Sequence, residues 1–470
     1  MTPLTTVLLE VGTPAAALGA GALYARARLP RVYWATIGLP LTVSRIRRDY
    51  DNVMEACGLT VEPSFWRAMA TSATARPAKP AAPVIRSITA NSTGLRLRLR
   101  LARGQETEDV VNASERLRHA WGVHAVHVSP VKPGVVDLRI VGFDVLRNVR
   151  IPRRAAAKPG GLLRVPVALR SDGTTHVRDF REIAHALNLG ASQSGKSMLT
   201  RNLIHGLAPQ PVALVGIDCK RGVEQRPFAP RLSALATDQS EALGLLLALL
   251  VEMDDRYDLI RDHQGVPGSV AAEDVAADIW GLPAKLRPVP IVVVVDEIAE
   301  LFLAGSKEDE ARRNRIVTAL IRLAQLARAA GIYLEVSGQR FGSELGKGAT
   351  LLRSQLSGRT VHRVNDLETA RMGLGDISDI AMVAATRISP DMPGMAVAGE
   401  TSGRWSEIRT PYRSLTETAD RCAEFAHMTP VLPRLAAFRP YVPPAAAAAP
   451  VGIPPKPPMP PLLTPRPAAE

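Results

Sequence analysis

The chain has 470 residues, 46% of them hydrophobic, with 58 Lys and Arg against 45 Asp and Glu, a formal charge of +13. That length and apolar content exclude a largely disordered protein and allow two or three domains with a full-sized core. The positive balance points to an anionic partner, nucleic acid first and an acidic membrane surface second. Cys57, Cys219 and Cys422 lie far apart, which fits a reducing compartment and carries no zinc signature.

Residues 1–75 form an apolar and basic leader. Val11–Ala25 is uncharged but shorter than the roughly 20 residues needed to span a bilayer. Val32–Leu41 is bracketed by Arg26, Arg28 and Arg31 and by Arg45, Arg47 and Arg48. No basic residue precedes the first stretch, which argues against a secretory signal. Two short apolar segments with arginine flanks suit a membrane-surface or hairpin anchor, and equally a buried helix pair. A helix is expected around Phe65–Met69, followed by a linker at 76–83 within an Ala-, Pro- and Thr-rich stretch.

Residues 84–150 read as a small α+β unit. Leucine and arginine alternate from Leu95 to Leu101, so every leucine falls on one face of a strand. Thr107–Trp121 reads as a helix, and His124–Val128 and Val135–Ile140 as strands. The arginines Arg96, Arg98 and Arg100 form either a solvated outer face or a stripe that meets phosphate.

Residues 151–415 alternate short apolar strands with helices, which argues for an α/β fold built on a parallel sheet. The expected strands are Ala184–Leu189, Val212–Ile217, Ile291–Val295, Ile332–Ser337, Thr360–Val364 and Met395–Ala398. The valine runs lack polar alternation, as in strands buried on both faces. A C-terminal helix is expected within 416–439, and residues 440–470 read as a Pro/Ala-rich disordered tail.

The chemistry concentrates at Gly190-Ala191-Ser192-Gln193-Ser194-Gly195-Lys196-Ser197, a G-x-x-x-x-G-K-S phosphate loop between an expected strand and the helix Met198–Leu207. Such a loop turns backbone N–H groups toward ATP phosphates, with Lys196 on the β/γ-phosphates and Ser197 on Mg²⁺. The strand Ile291–Val295 ends in Asp296 and Glu297. There Asp296 would orient Mg²⁺ through water and Glu297 would polarise the attacking water. Asp218 and Lys220 end another strand and either line the same crevice or are ordinary strand-end charges. Gln339 follows the strand Ile332–Ser337 and suits sensing of the γ-phosphate, since an amide both donates and accepts. In the helix expected over Asn314–Ala330, Arg328 stands apart from Arg315 and Arg322. It either complements the helix dipole or reaches a neighbouring subunit's γ-phosphate.

These residues together resemble the FtsK/SpoIIIE family of DNA translocases. The resemblance rests on the phosphate loop, on Ile217-Asp218-Cys219-Lys220, on Glu252-Met253-Asp254-Asp255-Arg256-Tyr257, on the Asp296-Glu297 strand, and on Leu323–Ile332 running on to Gly338-Gln339-Arg340. It covers roughly residues 84–412. It implies a RecA-like P-loop ATPase domain behind a small α+β domain, assembled as a ring, by expectation a hexamer, that hydrolyses ATP with Mg²⁺ and pumps double-stranded DNA. It also implies that Arg328 acts in trans as an arginine finger. The apolar leader and the single motor are similar to actinomycete conjugation proteins, so a cytoplasmic protein attached to the membrane is expected. Cys219 and Phe341 stand where the family has prolines, and the segment after Tyr412 is too short for a DNA-reading winged-helix domain. DNA contact is then expected from Lys347, Arg353, Arg359 and Arg363. A protein-secretion motor and a nucleotide-binding regulator of DNA are the alternatives.

Overall fold

The alternation at residues 95–101 is realised as a strand whose leucines are fully buried and whose arginines face outward. In the computed structural model, which describes residues 24–62, 80–91, 93–147, 149, 161–265, 275–400 and 403–443, this strand belongs to a small antiparallel sheet. Most of the first apolar stretch, the helix expected around Phe65–Met69, the first half of the linker and the tail beyond residue 443 lie outside the described residues.

The small sheet has the order β1-β2-β4-β3, with β1 at Val84–Ala90, β2 at Gly94–Arg100, β3 at Ala125–Lys132 and β4 at Val135–Val141. Its leucine face is covered by α1 (Leu39–Ala56), α2 (Thr107–Asn112) and α3 (Ser114–Trp121). Ile46, Met54, Leu117 and Trp121 meet Leu95, Leu97 and Leu99 there. The single helix expected over Thr107–Trp121 is thus two pieces, broken at Ala113 (φ −86°, ψ −5°). Asn112 and Ser114 flank the break, and both compete for backbone hydrogen bonds.

The second apolar stretch of the leader joins this packing. Pro30–Tyr33 and a π-turn at Trp34–Gly38 lead into α1. Trp34 is 5% exposed, and its ring lies against Gly142, where an added Cβ would sit 2.1 Å from it. Arg45 Nη1 donates to the Trp121 carbonyl at 2.6 Å. Among the described residues no helix is long and apolar enough to cross a membrane.

The larger sheet has ten strands in the order β6-β5-β14-β13-β12-β7-β11-β10-β8-β9. These are β5 (Arg164–Arg170), β6 (Thr175–Asp179), β7 (Ala186–Leu189), β8 (Ala213–Ile217), β9 (Leu232–Ala236), β10 (Ile291–Val295), β11 (Ile332–Gly338), β12 (Gly358–His362), β13 (Met395–Glu400) and β14 (Trp405–Arg409). From β12 to β9 the strands are parallel, as expected. The sheet as a whole is mixed, because β13, β14, β5 and β6 pair antiparallel. The pairs β12/β13 and β14/β5 join strands across long connections, whereas β5/β6 and β13/β14 join consecutive strands through short returns, which can only produce an antiparallel pair. One such return turns at Asp172-Gly173, with Gly173 at φ +80°.

The helices of this half are α4 (Lys196–Leu207), α5 (Gln239–His263), α6 (Lys307–Leu326), α7 (Ala349–Gln355), α8 (Leu367–Leu374), α9 (Asp379–Thr386) and α10 (Leu415–Glu424). They cover both faces, so the valines of β10 divide. Ile291, Val293 and Val295 pack with Leu245 and Leu249 of α5 and Leu320 and Leu323 of α6, while Val292 and Val294 pack with Leu199 and Leu203 of α4. Burying each such side chain contributes about 1.5–3 kcal/mol. α6 starts earlier than its apolar stripe suggests, because Ser306 caps it by accepting from the Asp309 N–H at 3.1 Å. It ends at Leu326, so Arg328 lies in the turn beyond it.

Candidate nucleotide site

β7 lies between β11 and β12, so the phosphate loop leaves the middle of the ten-stranded sheet. The Gly190 N–H donates to the Gly338 carbonyl (3.2 Å), the Ala191 N–H to Arg363 (2.9 Å) and the Ser194 N–H back to Ala191 (3.3 Å). Gln193 (φ +60°) and Gly195 (φ +111°) bend the loop through the left-handed region. Glycine is required at 195 twice over: for that φ, and because a Cβ would lie 2.3 Å from the Gly394 nitrogen. Lys196 and Ser197 open α4, where N–H groups have no intrahelical acceptor and form an anion cradle.

Lys196 folds over this cradle, its Nζ donating to the carbonyls of Gly190 (2.6 Å) and Ala191 (3.1 Å). Burial lowers its pKa, and the nearby Glu297 carboxylate opposes that shift. Asp296 and Glu297 end β10 and are 8% and 7% exposed. Lys220 Nζ donates to Asp296 Oδ2 at 2.9 Å. Burial works against the Lys220 charge, but the bond to Asp296 and the surrounding acids carry its pKa upward. Glu297 Oε1 accepts the Gln339 backbone N–H at 3.2 Å. Burial pushes the Glu297 pKa up, with the Gln339 hydrogen bond and Lys196 pulling the other way.

Asp218 is fully buried and accepts the N–H groups of Lys220 (3.1 Å), Glu224 (2.9 Å) and Gln225 (3.1 Å). It shapes the turn that presents Lys220, a role the strand-end position did not reveal. Gln339 stands at the same edge with its side chain exposed, and its backbone holds Glu297. Ser197 and Asp296 supply a hydroxyl and a carboxylate suited to Mg²⁺. That a lysine ammonium sits on Asp296 shows an acid placed to meet a cation.

Arg328 lies elsewhere. It precedes Ile332, the first residue of β11, at the sheet edge opposite the phosphate loop. There it lines an open cleft of about 600 Å³ with Trp280, Tyr333, Asp278 and Asp179. The seven residues of β11 separate it from Gln339, roughly 20 Å of strand.

The expected DNA-facing cations divide. Lys347 is exposed, and Arg363 rests on the phosphate loop, donating to the Ser192 carbonyl at 3.3 Å. Arg353 donates to the Phe341 carbonyl at 2.8 Å. Arg359 is a correction: it is 4% exposed and spent on the Arg353 carbonyl at 2.8 Å, so it cannot reach a duplex. Its place near the start of β12 puts it inside the sheet. On β2, Arg98 pairs with Asp137 through two bonds of 2.7 and 2.9 Å, which favours the solvated reading of that face.

A phosphate loop between a central parallel strand and its helix, with an acidic pair at the same edge two strands away, defines a P-loop nucleoside-triphosphate-binding core. Residues 157–343 match the FtsK/SpoIIIE family, and residues 20–142 match the actinomycete conjugal transfer protein N-terminal domain. The chain is 52% identical over 405 residues to the transfer protein TraSA of Streptomyces ambofaciens, covering 86% of this chain and 97% of that one. It is 60% identical over 270 residues to a sporulation regulatory protein of Streptomyces azureus, covering 57% and 86%. To the DNA translocase FtsK of Lactococcus lactis subsp. cremoris it is 28% identical over 264 residues, covering 52% of this chain but 33% of that protein. The chain belongs to the FtsK/SpoIIIE family and carries the N-terminal domain of actinomycete conjugal transfer proteins.

Proposed function

We propose that the chain is an ATP-driven translocase of double-stranded DNA acting in conjugative transfer or in segregation. The observation that carries this reading is the gathering of Lys196, Ser197, Asp296 and Glu297 at one sheet edge, in a chain 52% identical to the transfer protein TraSA. The phosphate loop holds ATP, and Ser197 and Asp296 hold Mg²⁺ when it is bound. Glu297, desolvated and anchored by the Gln339 N–H, takes the proton of the attacking water, and Gln339 senses the γ-phosphate. Arg328 faces the phosphate loop of a neighbouring copy in a hexameric ring and completes that site in trans. Lys347, Arg353 and Arg363 bring phosphate-seeking charge to the DNA. The protein works on the cytoplasmic side of the membrane, with exposed Ile37 and Leu41 beside Arg45, Arg47 and Arg48 as a surface contact.

The ATPase rate with and without double-stranded DNA tests this. Stimulation by DNA that Lys196→Ala abolishes is the expected result. Robust turnover indifferent to DNA would assign another cargo, and no turnover under either condition would overturn the motor altogether.

A further inference from the structure

A cleft of about 720 Å³ opens where α4 begins, and its two walls come from different parts of the chain. One wall is the motor: Met198, in the first turn of α4 immediately after Ser197, with Pro393 and Thr410 through Tyr412. The other is the N-terminal domain: the helical segment Arg26–Val32 with the loop beginning at Phe143. The motor wall is continuous with the phosphate loop. The Gly394 N–H donates to the Ser194 carbonyl at 2.9 Å, and the Thr410 N–H to the Gly394 carbonyl at 2.9 Å. Arg409 ties the walls together, its Nε donating to Pro393 (3.2 Å) and its Nη1 to the carbonyls of Leu146 (2.8 Å) and Arg147 (3.0 Å).

Both walls present partly exposed apolar surface. Leu29 is 52% exposed, Val32 54% and Tyr412 76%. Arginines at 26, 28 and 31 interleave with the apolar residues of the N-terminal wall. An apolar cleft with planar cationic and aromatic groups suits a purine ring and a ribose. Its position beside the phosphate loop points to the nucleoside of the nucleotide bound there. A nucleotide whose phosphates lie on the N–H groups of the loop has its α-phosphate at the start of α4, so its nucleoside half must leave past Met198.

We propose that the nucleoside half of the bound nucleotide lies in this cleft and that Arg26–Val32 forms its outer wall, so that the N-terminal domain is part of the nucleotide site. This rests on the phosphate-loop reading given above. Trp34, seated on Gly142, and Arg45, bonded to Trp121, hold that wall against the small sheet. Any force that moves the N-terminal segment then changes how tightly nucleotide is held.

Calorimetric titration of the full chain with Mg²⁺·ADP and, separately, with Mg²⁺·tripolyphosphate tests the proposal. The variants are Leu29→Asp on one wall and Tyr412→Ala on the other, both at exposed positions outside the core. The expected result is a loss of about tenfold in ADP affinity for each variant, with tripolyphosphate affinity unchanged. Unaltered ADP affinity in the Leu29→Asp variant, with Tyr412→Ala impaired, would remove the N-terminal segment from the site. Unaltered affinity in both, with Lys196→Ala abolishing both ligands, would overturn the cleft while leaving the phosphate loop intact. Indifference of both ligands to Lys196→Ala would instead overturn the phosphate-loop reading itself.

Discussion

The two edges of the large sheet are built from the same strands and treat charge in opposite ways. At the C-terminal edge the acids are enclosed: Asp296 and Glu297 are nearly buried, Lys220 holds one and the Gln339 N–H holds the other. At the N-terminal edge Arg328 is exposed, beside an open cleft, and makes no ion pair among the described residues. Enclosure fixes geometry and shifts pKa values; exposure leaves a long cation able to reach outward. One edge fixes its acids in place, and the other leaves its arginine exposed.

The widest test of that contrast is Arg328→Ala. If Arg328 completes a neighbour's site, turnover falls by about 10³-fold or more while ADP affinity measured by calorimetry stays put. Mixing that variant with Lys196→Ala subunits should restore part of the rate, since each supplies what the other lacks. A parallel loss of ADP affinity would erase the distinction between the edges. Glu297→Gln is expected to lower the single-turnover rate by about 10²–10⁴-fold, again with nucleotide bound normally; weakened binding would make Glu297 a structural acid.

Acidity sharpens the enclosed edge further. Because burial raises the Glu297 pKa, its carboxylate protonates, and turnover fails, at a pH above the ordinary glutamate value of about 4.3. The sign follows from the base being active only when ionised. The Glu297→Gln variant should lose that acid limb from its pH–rate profile, and a limb that persists would belong to another group. The smallest effect is expected from Lys220→Met. Releasing a half-exposed ammonium from Asp296 should reduce the Mg²⁺ concentration needed for tight ADP binding by about fivefold or less. An increased requirement would mean that Lys220 contacts the nucleotide rather than competing with the metal.

What could be read in advance follows the same division. Strands buried on both faces announce themselves as valine runs, so β8, β10 and β11 fall within a residue of expectation. β9, Leu-Ser-Ala-Leu-Ala, has no β-branched residue and is a strand only because β8 offers it an edge. Part of the antiparallel flank is hidden for a related reason: β14 and β5 lie far apart in the chain, and such a pairing leaves no local pattern. The placement of Lys196, Asp296 and Glu297 at one edge is legible because their spacing from strand ends is set by backbone geometry. The burial of Arg359 is not, since a lone arginine near a strand start looks the same whether it faces water or a packed sheet. Gln339 also holds Glu297 through its backbone N–H, a contact no side-chain reading could anticipate.

The position of β7 has a consequence in time. Its neighbours in the sheet are β11 and β12, which end 149 and 173 positions beyond Leu189 (338 − 189 and 362 − 189), and the loop that follows it leans on Gly394. Long-range pairing of this kind is slow and cannot begin before the distant strands exist. During vectorial synthesis, with the N-terminal domain folding first, the phosphate loop emerges early but lacks its supports until the chain has grown past the strap at Pro393-Gly394. A nascent chain therefore carries the loop without its shape. The fold itself delays the first productive encounter with ATP until nearly the whole motor has been made.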